Sequence, residues 1–120
     1  MGQFSDYDIQ IVKDNEIISY EVKSDFKSAR TKNLCVEYKC SNKPSGISTT
    51  KSNFWANFNV LNEKNNQYEL YVIPVDVLKE KINNKEYHRD MRGGTEYRNQ
   101  FYLFALSLFS DYLIKNCGSN

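Results

Sequence analysis

The stretch Tyr7-Asp8-Ile9-Gln10-Ile11-Val12-Lys13-Asp14-Asn15-Glu16-Ile17-Ile18-Ser19-Tyr20-Glu21-Val22-Lys23 decides how the chain folds. Its two halves, Tyr7 to Val12 and Ile17 to Lys23, are rich in β-branched and aromatic residues, the composition of a pleated strand. Between them Lys13-Asp14-Asn15-Glu16 is polar, with Asp and Asn at its centre, which is a hairpin signal. If Asp14-Asn15 is the loop, Lys13 stands opposite Glu16, Val12 opposite Ile17, Ile9 opposite Tyr20 and Asp8 opposite Glu21. Opposed residues share a face, with Cβ atoms about 4.5–5.5 Å apart. The two-residue period then puts Ile9, Ile11, Ile18, Tyr20 and Val22 on one face, expected to be core. Asp8, Gln10, Ser19, Glu21 and Lys23 take the other.

The next apolar run, Leu34 to Cys40, repeats the split. Leu34, Val36 and Tyr38 lie on one side, and Cys35, Glu37 and Lys39 on the other. Three carboxylates and two lysines are thus expected to converge. Any antiparallel sheet with one wet face shows the same alternation, its charges solvated or paired across strands. Asp8 beside Glu21 adds something further, because like charges directly opposed are destabilising unless neutralised. A divalent cation does this, and Mg²⁺ is commonly held by one or two carboxylates with water and phosphate.

Tyr7-Asp8-Ile9 followed by Tyr20-Glu21-Val22-Lys23-Ser24-Asp25 resembles the signature of the PD-(D/E)XK nuclease superfamily, an Asp opening one hairpin strand and Glu-X-Lys ending the next. Asn33-Leu34-Cys35-Val36-Glu37-Tyr38 and the run Lys43-Pro44-Ser45-Gly46-Ile47-Ser48-Thr49-Thr50-Lys51-Ser52-Asn53-Phe54-Trp55 follow in the order of its small members. The resemblance spans roughly residues 6 to 80, and more faintly Gly93 to Leu113. It implies a restriction-endonuclease-like mixed α/β fold, a central mixed sheet flanked by helices. It also implies metal-dependent phosphodiester hydrolysis with Mg²⁺ or Mn²⁺. Carried onto this chain, Asp8, Glu21 and the carbonyl of Val22 bind the metal. Lys23 orients water or stabilises developing charge, and Glu37 takes a supporting acidic role. Lys51 is expected to meet phosphate near the start of a short helix at Thr50. Tyr7 stands in place of the proline, which touches no metal. The N-terminal helix of many members is missing ahead of the first strand, so a second subunit supplies that cover, or the helix is dispensable, or activity is lost.

The second half is expected to complete the sheet. Trp55 to Leu61 and Tyr68 to Ile73 flank the turn-rich segment Asn62 to Asn66, a second hairpin. Pro74 ends it. Val75 to Asn83 carries Val75, Leu78 and Ile82 at helical spacing. Residues 84 to 98 show no apolar period and read as a loop, or as a mobile basic flap carrying Arg89 and Arg92. Gln100 to Ile114 is strongly apolar, and the resemblance implies a strand near Tyr102 to Ala105 running into a helix, Ser107 to Lys115. Its surplus apolar surface is core or the patch of a homodimer. Trp55 reads as a core anchor rather than a base-stacking platform.

Length and composition bound these readings. A chain of 120 residues is expected to form one domain, and its 40% hydrophobic content supplies an ordered core. One histidine, His88, argues against His-rich zinc centres and Ser-His-Asp triads. Cys35, Cys40 and Cys117 form no CxxC pair, which suits a reduced, intracellular setting. With no signal peptide and no run of roughly 18 apolar residues, a soluble protein without a membrane partner is expected. The net charge of +1 excludes binding to nucleic acid through bulk charge. It is unevenly spread, though: −3 over residues 1 to 20, +4 over 21 to 51, −2 over 52 to 78 and +2 over 79 to 98. Lys39, Lys51, Arg89 and Arg92 are the expected phosphate contacts, with DNA preferred to RNA as the partner. The leading expectation is a small stand-alone endonuclease of the phage or viral kind. The alternatives are an inactive nuclease-fold subunit that binds nucleic acid or a partner, and a structural viral or phage component.

Overall fold

The computed structural model describes residues 9–117. It is a mixed α/β fold, as expected, with its strands shared between two sheets. The order along the chain is β1 (Ile9–Lys13), β2 (Glu16–Asp25), α1 (Ser28–Thr31), β3 (Asn33–Cys40), β4 (Lys43–Pro44) and a 3-10 turn, η1 (Gly46–Ser48). Then come β5 (Phe54–Asn62), β6 (Gln67–Pro74), α2 (Val75–Asn83), β7 (Arg89–Gly93), η2 (Thr95–Tyr97), β8 (Asn99–Ala105), η3 (Leu106–Tyr112) and β9 (Leu113–Cys117). The first sheet runs β1-β2-β5-β6-β9 and the second β4-β3-β8-β7. The first sheet is mixed, because β2 and β5 are parallel while its other pairs are antiparallel. Among the described residues no helix is long and apolar enough to cross a membrane.

The opening hairpin has the expected register, from Ile9 opposite Tyr20 to Lys13 opposite Glu16. Asp14 and Asn15 turn it with φ of 52° and 67°, the pair of positive values that a two-residue turn matched to strand twist requires. Ser41 and Asn42 do the same between β3 and β4. The pairing of Asp8 with Glu21 lies outside the described residues. The second hairpin and α2 also stand where their patterns put them. Asp76 in the first turn and Lys81 in the last complement the helix dipole, and Val75 and Leu78 are buried.

The expected core face of the hairpin is overturned. Ile9 and Ile11 are 48% and 46% exposed, and Ile18, Tyr20 and Val22 are only partly covered, whereas Ser19 and Glu21 are buried. Alternation fixes which residues share a face, but the second layer decides which face is inside. Parallel pairing sets Glu21 beside Trp55, which in turn lies opposite Ile73. Against these pack Leu34, Val36 and Phe104 of the second sheet, Val75 and Leu78 of α2, and Phe109. The Glu21 face lies inside because the second sheet, α2 and Phe109 pack on that side, even though β5 presents Asn57 and Asn59 there and the opposite face is the more apolar.

Three local expectations also change. Residues 89 to 93 form β7, paired along β8, where a loop was read. The strand is hard to see because its only inward apolar side chain is Met91, flanked by arginines and glycine. The expected helix Ser107–Lys115 is instead the 3-10 segment η3 followed by β9, which pairs with β6. Leu106 and Phe109 are drawn into the core, and pairing satisfies the β6 edge better than a helix would. No helix forms at Thr50; Thr50 and Lys51 stand in the irregular segment between η1 and β5.

Candidate functional site

The site grows from β2. Glu21 and Lys23 are two residues apart on one strand, so their side chains leave the same face. Lys23 Nζ lies 3.4 Å from Glu21 Oε2. The pair is asymmetric, with the carboxylate side chain 6% exposed and the lysine 34%. Burial of a carboxylate is costly unless its oxygens are engaged. Here Thr50 Oγ1 donates to Glu21 Oε1 at 2.8 Å, and Lys23 takes the other oxygen. The Lys23 ammonium also stands 5.4 Å from the centre of the Trp55 ring, which is itself buried, as a core anchor should be.

Beside this pair the two sheets enclose a cleft of about 660 Å³. Lys23, Asp25, Trp55 and Asn57 line it from the first sheet, Cys35, Glu37 and Arg89 from the second, and Phe26 and Lys27 from the connection between them. The second sheet therefore works on both sides. Its Leu34, Val36 and Phe104 face is core, and its Cys35, Glu37 and Arg89 face is cleft wall. The Cys35 thiol is pushed up to about 12, mainly by burial and then by the charges of Asp25 and Glu37, with Lys27 opposing.

Glu37 is held firmly. Its Oε2 accepts from Ser45 Oγ and its Oε1 from Asn99 Nδ2, both at 2.8 Å. A β-bulge follows immediately, since Glu37 opposes Phe101 but Lys39 opposes Gln100. Gly46 packs against this point with φ +52°, and a Cβ there would lie 2.2 Å from the Glu37 carbonyl oxygen. The Ser45-Gly46 turn is thus pressed onto the strand that carries the acid.

The sequence-predicted residues are brought together only in part. Glu21 and Lys23 are in contact, and Lys23, Glu37 and Arg89 share the cleft. Lys39 is turned away by the bulge, onto the face of Gln100 and Arg92. Arg92 alternates with Arg89 along β7 and so leaves the cleft on the opposite side. Lys51 is not among the residues that line it. Val22 sends its side chain to the other face and offers only its carbonyl. Asp8 lies outside the described residues.

The oxygen donors of Glu21 and the Val22 carbonyl suit a hard divalent cation. Among the described residues no group of three or more His, Cys, Asp or Glu side chains is placed to hold a metal. The residues that sequence reasoning missed are those that orient the acids or extend the cleft. Ser45 and Thr50 were visible as a hydroxyl-rich run without a stated role. Lys27 was visible only as one charge of the basic segment 21 to 51, and Asn57 and Asn99 carry no pattern that marks them. Compared with protein-family models, curated proteins and solved structures, the chain shows no significant match to any of them.

Proposed function

We propose that this chain is a metal-dependent nuclease that hydrolyses phosphodiester bonds of DNA as an endonuclease, in recombination, repair or genome processing. The observation that supports it most is one cleft lined by three cations, Lys23, Lys27 and Arg89, together with the carboxylates of Asp25 and Glu37, with the buried carboxylate of Glu21 paired to Lys23 at its side. A bound Mg²⁺ or Mn²⁺ supplies Lewis-acid polarisation of the scissile phosphate. Asp8, Glu21 and the Val22 carbonyl are the groups that would hold it.

The chain's own residues divide the remaining work. Thr50 fixes the orientation of the Glu21 carboxylate. Lys23, anchored by Glu21 and Trp55, offers its ammonium to charge developing on the phosphate. Glu37, clamped by Ser45 and Asn99, supports the acidic side of the cleft. Lys27 and Arg89 hold phosphates flanking the reacting one. An intracellular setting, host cytoplasm or virion, accompanies this reading. Plasmid and branched-DNA cleavage in Mg²⁺ against EDTA tests it. Glu21→Gln and Lys23→Ala are each expected to lower cleavage by about 100-fold or more, the effect of losing one positioned charge. Equal activity of wild type and variants in every condition overturns the proposal.

One observation favours a second reading, an inactive nuclease-fold subunit that binds nucleic acid or a partner. Both Glu37 oxygens are committed to protein donors, and Glu21 is engaged by Thr50 and Lys23. Tight DNA or RNA binding that needs no metal, without cleavage of any form, is its signature.

A further inference from the structure

The face of the first sheet that points away from the core is apolar across four strands. Ile11 on β1, Ile18 and Val22 on β2, Phe58 on β5, and Leu70 and Val72 on β6 represent it, and the register puts them on one side. Its polar positions include Ser24, the opposed pair Lys13 and Glu16 at the hairpin tip, whose charges cancel, and, on the edge strand β9, Lys115 at the position opposite Leu70. No element formed by the described residues packs over this face. Ile9 and Ile11 are nearly half exposed, the larger side chains keep partial exposure, and only the small Ala56 is buried. At one corner, where the face meets the polar turn of Asn62, Glu63 and Asn66, a hollow of about 210 Å³ is also lined by Phe58, Tyr68 and Phe26, the last 61% exposed.

We propose that this face is the interface of a homodimer in which two copies pack their first sheets face to face. Three arguments favour a second copy over another partner. The first is area. Four or five strands at about 4.8 Å spacing and some 25 Å length give a face of roughly 500–600 Å². Two such faces bury about 1,000–1,200 Å², at or just under the lower end of what specific interfaces use. The second is charge, because across β1, β2, β5 and β6 the face carries no net charge, so that its centre neither repels its own copy nor offers a site to a charged partner. The third is shape. Two sheets of the same twist stack at about 10 Å with their strands near −30°, and a two-fold axis makes one such patch complementary to itself. The proposal stands apart from the nuclease reading, since it uses the opposite face of the sheet from Glu21 and Lys23.

The test is sedimentation equilibrium or light scattering over a concentration series of the full chain. An interface of this size is expected to give a dissociation constant in the micromolar range or tighter. The double variant Ile9→Lys/Ile11→Lys alters side chains already half exposed on the edge strand, so folding tolerates it. It is expected to weaken the dimer by at least about tenfold, the cost of burying charge in an apolar contact. Val12→Lys lies on the same strand but the other face, is 72% exposed, and should leave the dimer intact. Circular dichroism of all three proteins verifies the fold. A wild type that stays monomeric at about 100 μM, far above the expected constant, overturns the proposal. So does a dimer that resists Ile9→Lys/Ile11→Lys while Val12→Lys disrupts it.

Discussion

Gly46 shows how one residue without a side chain controls an acid several positions away. Its φ of +52° lies in the left-handed region, and its missing Cβ is the space that the Glu37 carbonyl occupies. Ser45, its neighbour, supplies the hydroxyl that binds Glu37 Oε2. Gly46→Ala is therefore expected to destabilise the protein by about 2–3 kcal/mol, the upper end for a single strained backbone position. It should also release Glu37. Thermal unfolding checks the first effect, and a fall in DNA cleavage or binding larger than the stability loss explains checks the second. Glu21 and Lys23 were legible in the sequence, because a same-face pair on a strand needs only the two-residue period. Thr50 as the partner of Glu21 was not, since 29 residues and a change of element separate them.

At the scale of the element, β5 carries a buried polar ladder that no alternation pattern advertises. Trp55 Nε1 donates to Asn57 Oδ1 at 3.3 Å, and Asn57 Nδ2 donates to Asn59 Oδ1 at 2.6 Å. Asn57 is 1% exposed and Asn59 fully buried. The middle residue satisfies both neighbours, so Asn57→Ala leaves a buried donor and a buried acceptor unpaired and opens a void. Each unmet group costs about 1–3 kcal/mol, which puts the expected destabilisation at about 2–6 kcal/mol by denaturant unfolding. Near-wild-type stability would mean that the ladder is not formed. The same element scale explains why Lys39 was misplaced. Alternation puts Glu37 and Lys39 on one face only while the strand is regular, and the bulge between them reverses the later residue. Across β3, β8 and β7 the Tyr38 phenol donates to Asp90, and burial together with that carboxylate pushes its pKa up to about 12.

For the whole molecule, the cleft between the sheets is where the chain's charge is used. Arg89 joins Lys23 and Lys27 from a distant part of the sequence, and a net charge of +1 conceals their convergence. If they contact phosphate, DNA affinity falls with salt, and Arg89→Ala reduces the slope of log K against log salt by about 1, with no change in sequence preference. Arg92→Ala, on the far side of the same strand, should leave the slope unchanged. A binding titration at several salt concentrations separates the two, and equal effects would count against the cleft as the phosphate path. The apolar face behind the sheet is the other consequence at this scale, and it gives the molecule a second surface independent of the first.

By itself the sequence determined what local forces control. The two-residue period placed both hairpins, the spacing of Val75, Leu78 and Ile82 placed α2, and Asp14-Asn15 set a register accurate to the residue. Glu21 beside Lys23 followed from that register. Only the tertiary structure decided which face of the first sheet lies inside, because burial belongs to whichever face a second layer covers. It alone decided that Arg89 enters the cleft while Arg92 and Lys39 leave it, since strand pairing and a bulge depend on partners far along the chain. The isoleucine-rich face looked like core for good reason: it is as apolar as a core. What the two-sheet packing changed is that no described part of this chain covers it.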